Sequence, residues 1–217
     1  MNDKKKLPGR IRIIRDSYPQ NPREEYDNLT VMVCNHRRYS LGDQKVSKEI
    51  RFGGFSGWDA LKEALIEKYV PLAIEPIYMY DHSGITISTS PFSCPWDSGQ
   101  IGFVLVPESQ KGNYWNNDSK EPPTEADLKA WAERLIKAEV ETYDQYLTGD
   151  VYGYVIDEAV EDPTRPGEQM IDCDEQPVFE EGDDSCWGFY GSDWKTNGMS
   201  NDIQNKVDAG YAIVEEN

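Results

Sequence analysis

Apolar positions recur along this chain in two rhythms, one with the period of a helix and one with that of a strand. Trp58, Leu61, Ala64, Leu65 and Tyr69 fall three and four apart, the spacing that lines up side chains on one helical face. Ser56 or Gly57 stands at the start and Pro71 lies just past the end, so a helix is predicted over 58–69. A longer run puts Leu128, Trp131, Leu135, Ala138 and Tyr146 on a predicted buried face. Pro122-Pro123 precedes it, Thr124-x-x-Asp127 forms a near capping box with Asp in place of Glu, and Gly149 stops it. A short third helix is predicted over 201–209.

The strand rhythm fills much of the remainder. Residues 29–34 and 77–80 are rich in β-formers, and Tyr80 leads into the turn Asp81-His82-Ser83-Gly84. Residues 85–89 then alternate with period two, and the run Ile101–Val106 follows. Residues 151–156 and 185–190 read as a hairpin pair whose connection is a long acidic segment. Neighbouring strands with tight turns imply an α+β fold. The expectation is a mainly antiparallel sheet with two or three helices packed on one side and an acidic hairpin arm. A chain of 217 residues suits a single domain, here with a basic N-terminal segment over 1–20. At this size a core forms without disulfide staples.

Charge changes that picture most. The net charge is −18. Residues 157–184 carry twelve acids against Arg165 alone, which is −11 of that total. The stretch also holds Pro163, Pro166, Gly167, Pro177 and Gly182 and shows no apolar period, so it is expected to be a loop or hairpin arm. So acidic a chain is a poor direct binder of nucleic acid, whose phosphates need Lys and Arg. It can instead imitate one. Spread over the ~10,000 Å² of a folded chain this size, the charge is about fivefold more dilute than on duplex DNA. A mimic must therefore gather its acids on one face. The candidates for that face are Asp172, Asp174, Glu175, Glu180, Glu181, Asp183 and Asp184.

No run approaches the ~18 apolar residues of a membrane span, and no apolar stretch follows Lys4, Lys5 and Lys6. No membrane partner is expected, and the expected location is the cytoplasm of the cell that makes the chain. In that reducing setting Cys34, Cys94, Cys173 and Cys186, widely spaced and without a C-x-x-C pair, are expected as buried free thiols.

One segment concentrates chemistry. Asp81-His82-Ser83-Gly84 through Phe92-Ser93-Cys94-Pro95-Trp96-Asp97-Ser98-Gly99-Gln100 brings together a thiol, an imidazole and two carboxylates. An enzymatic reading makes Cys94 a nucleophile, His82 its base and Asp81 or Asp97 the orienting group. A plainer reading makes both stretches turns whose Asp and Ser side chains bond their own backbone. A candidate pocket is drawn from Asp81, His82, Ser83, Cys94, Trp96, Asp97, Gln100 and Trp187. His36-Arg37-Arg38 is a separate basic cluster able to hold an anion or to pair with the chain's own acids. Only Cys34-x-His36 offers a close pair of metal-type ligands, so neither a metal nor another cofactor is expected.

Several strings are specific enough to carry a resemblance. They are Tyr26–Tyr39 with Leu41-Gly42-Asp43, Tyr80–Ile85, Phe92–Gln100, Tyr143–Tyr154 and Asp184–Gly191. Together they span nearly the whole chain, which resembles a family of uncharacterised proteins encoded by bacteriophages and mobile elements. The resemblance implies that setting and no particular activity, so no catalytic residue is carried over.

The leading expectation is an acidic, phage- or element-encoded inhibitor of a host defence or nucleic-acid-acting factor. Its partner would be a host protein with a basic groove. The alternative is a small enzyme or ligand-binding module with a pocket around His82, Cys94 and Asp97.

Overall fold

An alternation of Ile and Arg near the N-terminus seeds the first of two sheets. In the computed structural model, which describes residues 7–114 and 122–216, the chain runs through β1 (Arg10–Arg15), α1 (Pro22–Glu25), β2 (Val31–Cys34), α2 (Gln44–Glu49), α3 (Trp58–Tyr69), β3 (Ala73–Asp81), β4 (Ile85–Ser88) and β5 (Ser98–Val106). It continues through α4 (Glu125–Thr148), β6 (Val151–Ala159), β7 (Phe179–Tyr190), α5 (Ser200–Asp208) and β8 (Ala212–Glu216). The class is α+β. The elements divide into two compact units, a terminal one built from residues 1–20 and 149–217 and a central one from 21–148.

In the terminal unit the strand order is β7-β6-β1-β8, antiparallel except where β1 and β8 run parallel. Ile11 and Ile13 point to one face, where they pack with Tyr154, Ile156, Tyr211 and with Met199 and Ile203 of the α5 region. Each fully buried side chain of this kind contributes about 1.5–3 kcal/mol. Arg10 and Arg12 point to the other face and close on Asp157, which is 1% exposed. Arg10 Nε stands 2.7 Å and Arg12 Nε 2.8 Å from Asp157 Oδ2. Over its described part the basic N-terminal segment contributes an inner strand, β1, whose Arg10 and Arg12 are absorbed by a buried carboxylate. Lys4, Lys5 and Lys6 lie outside the described residues.

In the central unit the order is β2-β5-β3-β4, antiparallel throughout. Alternation along β2 and β5, shifted by a bulge at Ile101, sends Met32, Cys34, Ile101, Val104 and Val106 to one core with Ala132, Ile136, Val140 and Tyr143 of α4. It sends Val33, Phe103 and Leu105 to a second core with Leu61 and Leu65 of α3. A helix thus covers each face, where a single sheet with its helices on one side was expected. The unbroken apolar run Ile101–Val106 is what a strand buried on both faces looks like.

The α3 prediction agrees with the structure, and α4 begins and ends one residue inside its predicted signals. Thr124 Oγ1 accepts from Asp127 N at 3.2 Å while Asp127 Oδ2 accepts from Thr124 N at 2.9 Å, a reciprocal cap. The buried stripe of α4 is Leu128, Ala132, Ile136, Val140 and Tyr143. Ala138 is exposed instead, and Trp131, Leu135 and Tyr146 flank the stripe.

A buried ion network organises the start of the central unit. Arg23, on α1 with its side chain 1% exposed, meets Asp43 at 2.7 Å and Glu139 of α4 at 2.8 Å. It also donates to the Thr30 hydroxyl and carbonyl, both at 3.0 Å. The carboxylates in turn accept backbone N–H groups, Glu139 from Leu29 and Asp43 from Met32, both at 2.9 Å. Among the described residues no buried side-chain polar atom lacks a partner.

Candidate functional site

The acidic stretch is an ordered extension of the β6–β7 ladder. Past the register pair Ala159↔Phe179, three legs bond one another in a closed ring: Met170 N to Val160 O at 2.7 Å, Val178 N to Met170 O at 2.8 Å, and Val160 N to Val178 O at 3.1 Å. Two tight turns join the legs, and acids build them. Asp162 accepts from Thr164 N at 2.8 Å and from Arg165 Nε at 3.0 Å. The Thr164 hydroxyl and amide, then Arg165, hold its carboxyl down to about 2. Asp172 Oδ1 accepts from Asp174 N at 2.8 Å and from Gln176 N at 2.9 Å, the backbone-mimicking role that favours Asp in turns.

Glu161 shapes the first turn too, accepting from Gly167 N at 2.7 Å. Arg165, the arm's one base, is committed to Asp162 and Glu168. Glu181 reaches Arg12 at 3.3 Å and is still 74% exposed. Among the described residues no cation lies within ion-pair distance of Asp174, Glu175, Glu180, Asp183 or Asp184. Between the pairs Asp157↔Glu181 and Val155↔Ser185, β7 holds two more residues than β6. The chain bulges there beside Gly182, whose backbone sits so close to β6 that a Cβ would come within 2.4 Å of the Ile156 carbonyl oxygen. Such a bulge re-aims side chains and blunts a sheet edge, and here it presents exposed Asp183 and Asp184. The longest leg, residues 176–184, spans at most about 30 Å at ~3.4 Å per residue. With Asp157 spent on Arg10 and Arg12 and Glu158 paired with Lys206, about nine of the arm's eleven net charges remain, or one per ~3.3 Å, about half the density of the one per ~1.7 Å of duplex DNA.

A second site joins two sequence clusters. Asn35 N donates to Ile101 O at 2.8 Å, and β5 also pairs with β3. This pairing brings the loop after β2, the end of β3 and the start of β5 to one end of the sheet. There His36, Arg37, Arg38, Asp81, Trp96, Asp97, Ser98, Gly99 and Gln100 line a polar groove of about 400 Å³. Arg38 pairs with Asp81, and Tyr39 OH donates to the same carboxylate at 3.3 Å. The His36 ring stacks on Tyr39, centroids 5.2 Å apart. Burial, then the charge of Arg38, lowers the His36 pKa below its ordinary value. Of the expected pocket residues, Asp81, Trp96, Asp97 and Gln100 line this groove, whereas His82, Ser83 and Cys94 are not among its walls. Trp187 belongs to the terminal unit, on β7, its ring so close over Gly153 that a Cβ there would come within 2.3 Å.

Cys94, Asp97 and His82 do meet, in an order unlike a nucleophile–base–orienter relay. Cys94 Sγ lies 3.7 Å and His82 Nδ1 3.6 Å from the same oxygen, Asp97 Oδ2. The contacts run through the carboxylate, whereas the relay needs the imidazole between thiol and acid. Ser98 Oγ closes the turn on Cys94 O at 2.5 Å, and Asp81 N donates to Asp97 O at 2.8 Å. The expectation of buried thiols holds for Cys34 alone, whose burial, aided by Asp43, pushes its thiol up to about 12. Cys94 is half-buried, and Cys173 and Cys186 are exposed on the arm and on edge strand β7. Among the described residues no three His, Cys, Asp or Glu side chains gather as a metal-binding set, and no helix is long and apolar enough to cross a membrane.

No family model, curated protein or solved structure matches the chain.

Proposed function

We propose that this chain is an acidic binding protein, encoded by a phage or mobile element, that inhibits a host defence or other nucleic-acid-acting factor. It does so by setting the arm over 157–184 into the partner's basic groove in place of nucleic acid. One observation carries the reading: the acids that shape the turns are distinct from Asp174, Glu175, Glu180, Asp183 and Asp184, which have no cation within ion-pair distance among the described residues. Together with the arm's other unneutralised acids they give about half the linear charge density of duplex DNA. The resemblance of the chain to phage and mobile-element proteins supplies the setting. A cytoplasmic host protein then follows as the partner.

The test is capture of partners from a bacterial host lysate at low and high salt, with wild type beside the variant Asp172→Asn, Asp174→Asn, Glu175→Gln, Glu180→Gln, Glu181→Gln. At about 0.5 kcal/mol per exposed ion pair, five losses weaken binding by roughly fiftyfold. Wild type should retain a nucleic-acid-acting protein that is released as salt rises. Equal retention by the neutralised variant would sink the mimicry.

A further inference from the structure

Four features of the polar groove in the central unit point beyond the arm. Its volume, about 400 Å³, is in the range of small-molecule sites. Its rim carries Trp96, 92% exposed, an indole with no core to serve. Large exposed aromatics of this kind act as stacking platforms for bases. Its charges are not self-cancelling: Arg38 is spent on Asp81, whereas Arg37 has no carboxylate within ion-pair distance among the described residues. Its polar wall is rich in acceptors. Asp97 Oδ2 faces His82 and Cys94, Gln100 donates its Nε2 to Gly102 O at 3.2 Å, and among the described residues neither Asp97 Oδ1 nor Gln100 Oε1 has a hydrogen-bond donor.

We infer that this groove binds a purine nucleoside monophosphate, with the base stacked on Trp96, its amino edge facing the open oxygens of Asp97 and Gln100, and its phosphate on Arg37. The demand on charge is small. A polymer needs many cations, but a mononucleotide brings one phosphate to one guanidinium, which can hold it through two N–H groups. The remaining negative charge of the chain is screened beyond ~8 Å at physiological ionic strength. The inference stands apart from the arm, whose acids lie in the other unit.

Gly99 offers a direct test. It lines the groove, sits in a strand with Met79 opposite, and a Cβ built on it meets nothing within 4 Å. Valine suits a strand position, so Gly99→Val fills the groove without disturbing the packing. The experiment is calorimetric titration of the full chain with AMP, GMP, adenosine, guanosine and inorganic phosphate. Saturable one-to-one binding of a nucleotide is expected, about tenfold weaker for its nucleoside and for Arg37→Gln. Binding should vanish in Gly99→Val while that variant unfolds at the wild-type temperature. Should Gly99→Val fail to fold, Trp96→Ala, a change at a side chain almost wholly in solvent, must lose the same affinity. No saturable nucleotide binding by wild type overturns the inference, as does full binding by a folded Gly99→Val or Trp96→Ala. Unchanged nucleotide affinity in the arm-neutralised variant keeps this result separate from that of the arm.

Discussion

Both units are built on a four-stranded sheet, yet they use charge in opposite ways. The central unit holds 20 acids and 13 bases, a net of −7, and puts its tightest ion group inside, where Arg23, Asp43 and Glu139 bind three segments of chain together. The terminal unit holds 20 acids and 9 bases, a net of −11. Outside residues 157–184 its charges balance, and inside them twelve acids face one base. Only Asp157 is drawn into the structure by two arginines at once. Charge in the first unit is a fastener. In the second it is largely surplus to folding, and surplus exposed charge is where a binding role can reside.

The comparison breaks most readily at Arg23. Replacing it with Met leaves two half-buried carboxylates without their buried cation, which costs up to about 3–5 kcal/mol. Urea unfolding should show the midpoint falling by that amount with the slope unchanged. A loss under about 1 kcal/mol would mean that the network follows the fold and does not hold it. Asp157→Asn should cost less, about 1.5–3 kcal/mol, the range for hydrogen bonds to charged groups, since Arg12 keeps Glu181 and Glu216 nearby. That loss should depend on pH. Burial raises the Asp157 carboxyl, but the hydrogen bonds from Arg12 and Arg10 outweigh it and the net shift is downward. The stabilisation is therefore complete above the ~3.9 of an unfolded Asp and is lost as pH falls through the folded value. Wild type and Asp157→Asn should differ in full at pH 7 and converge in acid. The smallest effect belongs to the arm: the five neutralising changes that weaken capture should move stability by no more than about 0.5 kcal/mol, because none removes a buried pair and Asn at 172 keeps an acceptor for its turn. A large loss there would make the arm's acids structural and erase the contrast between the units.

Much of the fold was legible, for reasons specific to each element. The helix α3 has a clean face and a proline stop, and α4 has a reciprocal cap, so local chemistry marked both. β1 was concealed: its Ile–Arg alternation is a plain strand signal, but six bases in fifteen residues marked the stretch only as a basic N-terminal segment. Only the pairing with Asp157, 145 residues away, shows why those arginines belong in a sheet. β8 is short and exposed, and α1 has four residues, too few for any period. The acidic arm was visible as a charge run between two strands, while its closed ring of legs and its division into turn-forming and free acids were not. In the groove, Trp96, Asp97 and Gln100 were singled out with His82 and Cys94 by closeness in sequence. Their true neighbours, His36, Arg37 and Arg38, come from a segment some sixty positions earlier.

By itself, then, the sequence determined the α+β class, the positions of the long helices, the location of the surplus charge and the residues rich in chemistry. Each of these rests on period, capping or composition, which act over a few positions. Tertiary structure decided the rest: two sheets in place of one, a helix on each face of the central sheet, arginines of a basic segment spent on one buried aspartate, and a groove assembled from loops far apart in the chain. Those outcomes depend on which strands pair, and pairing is set by burying whole faces and matching distant buried charges, quantities that no local window of sequence contains.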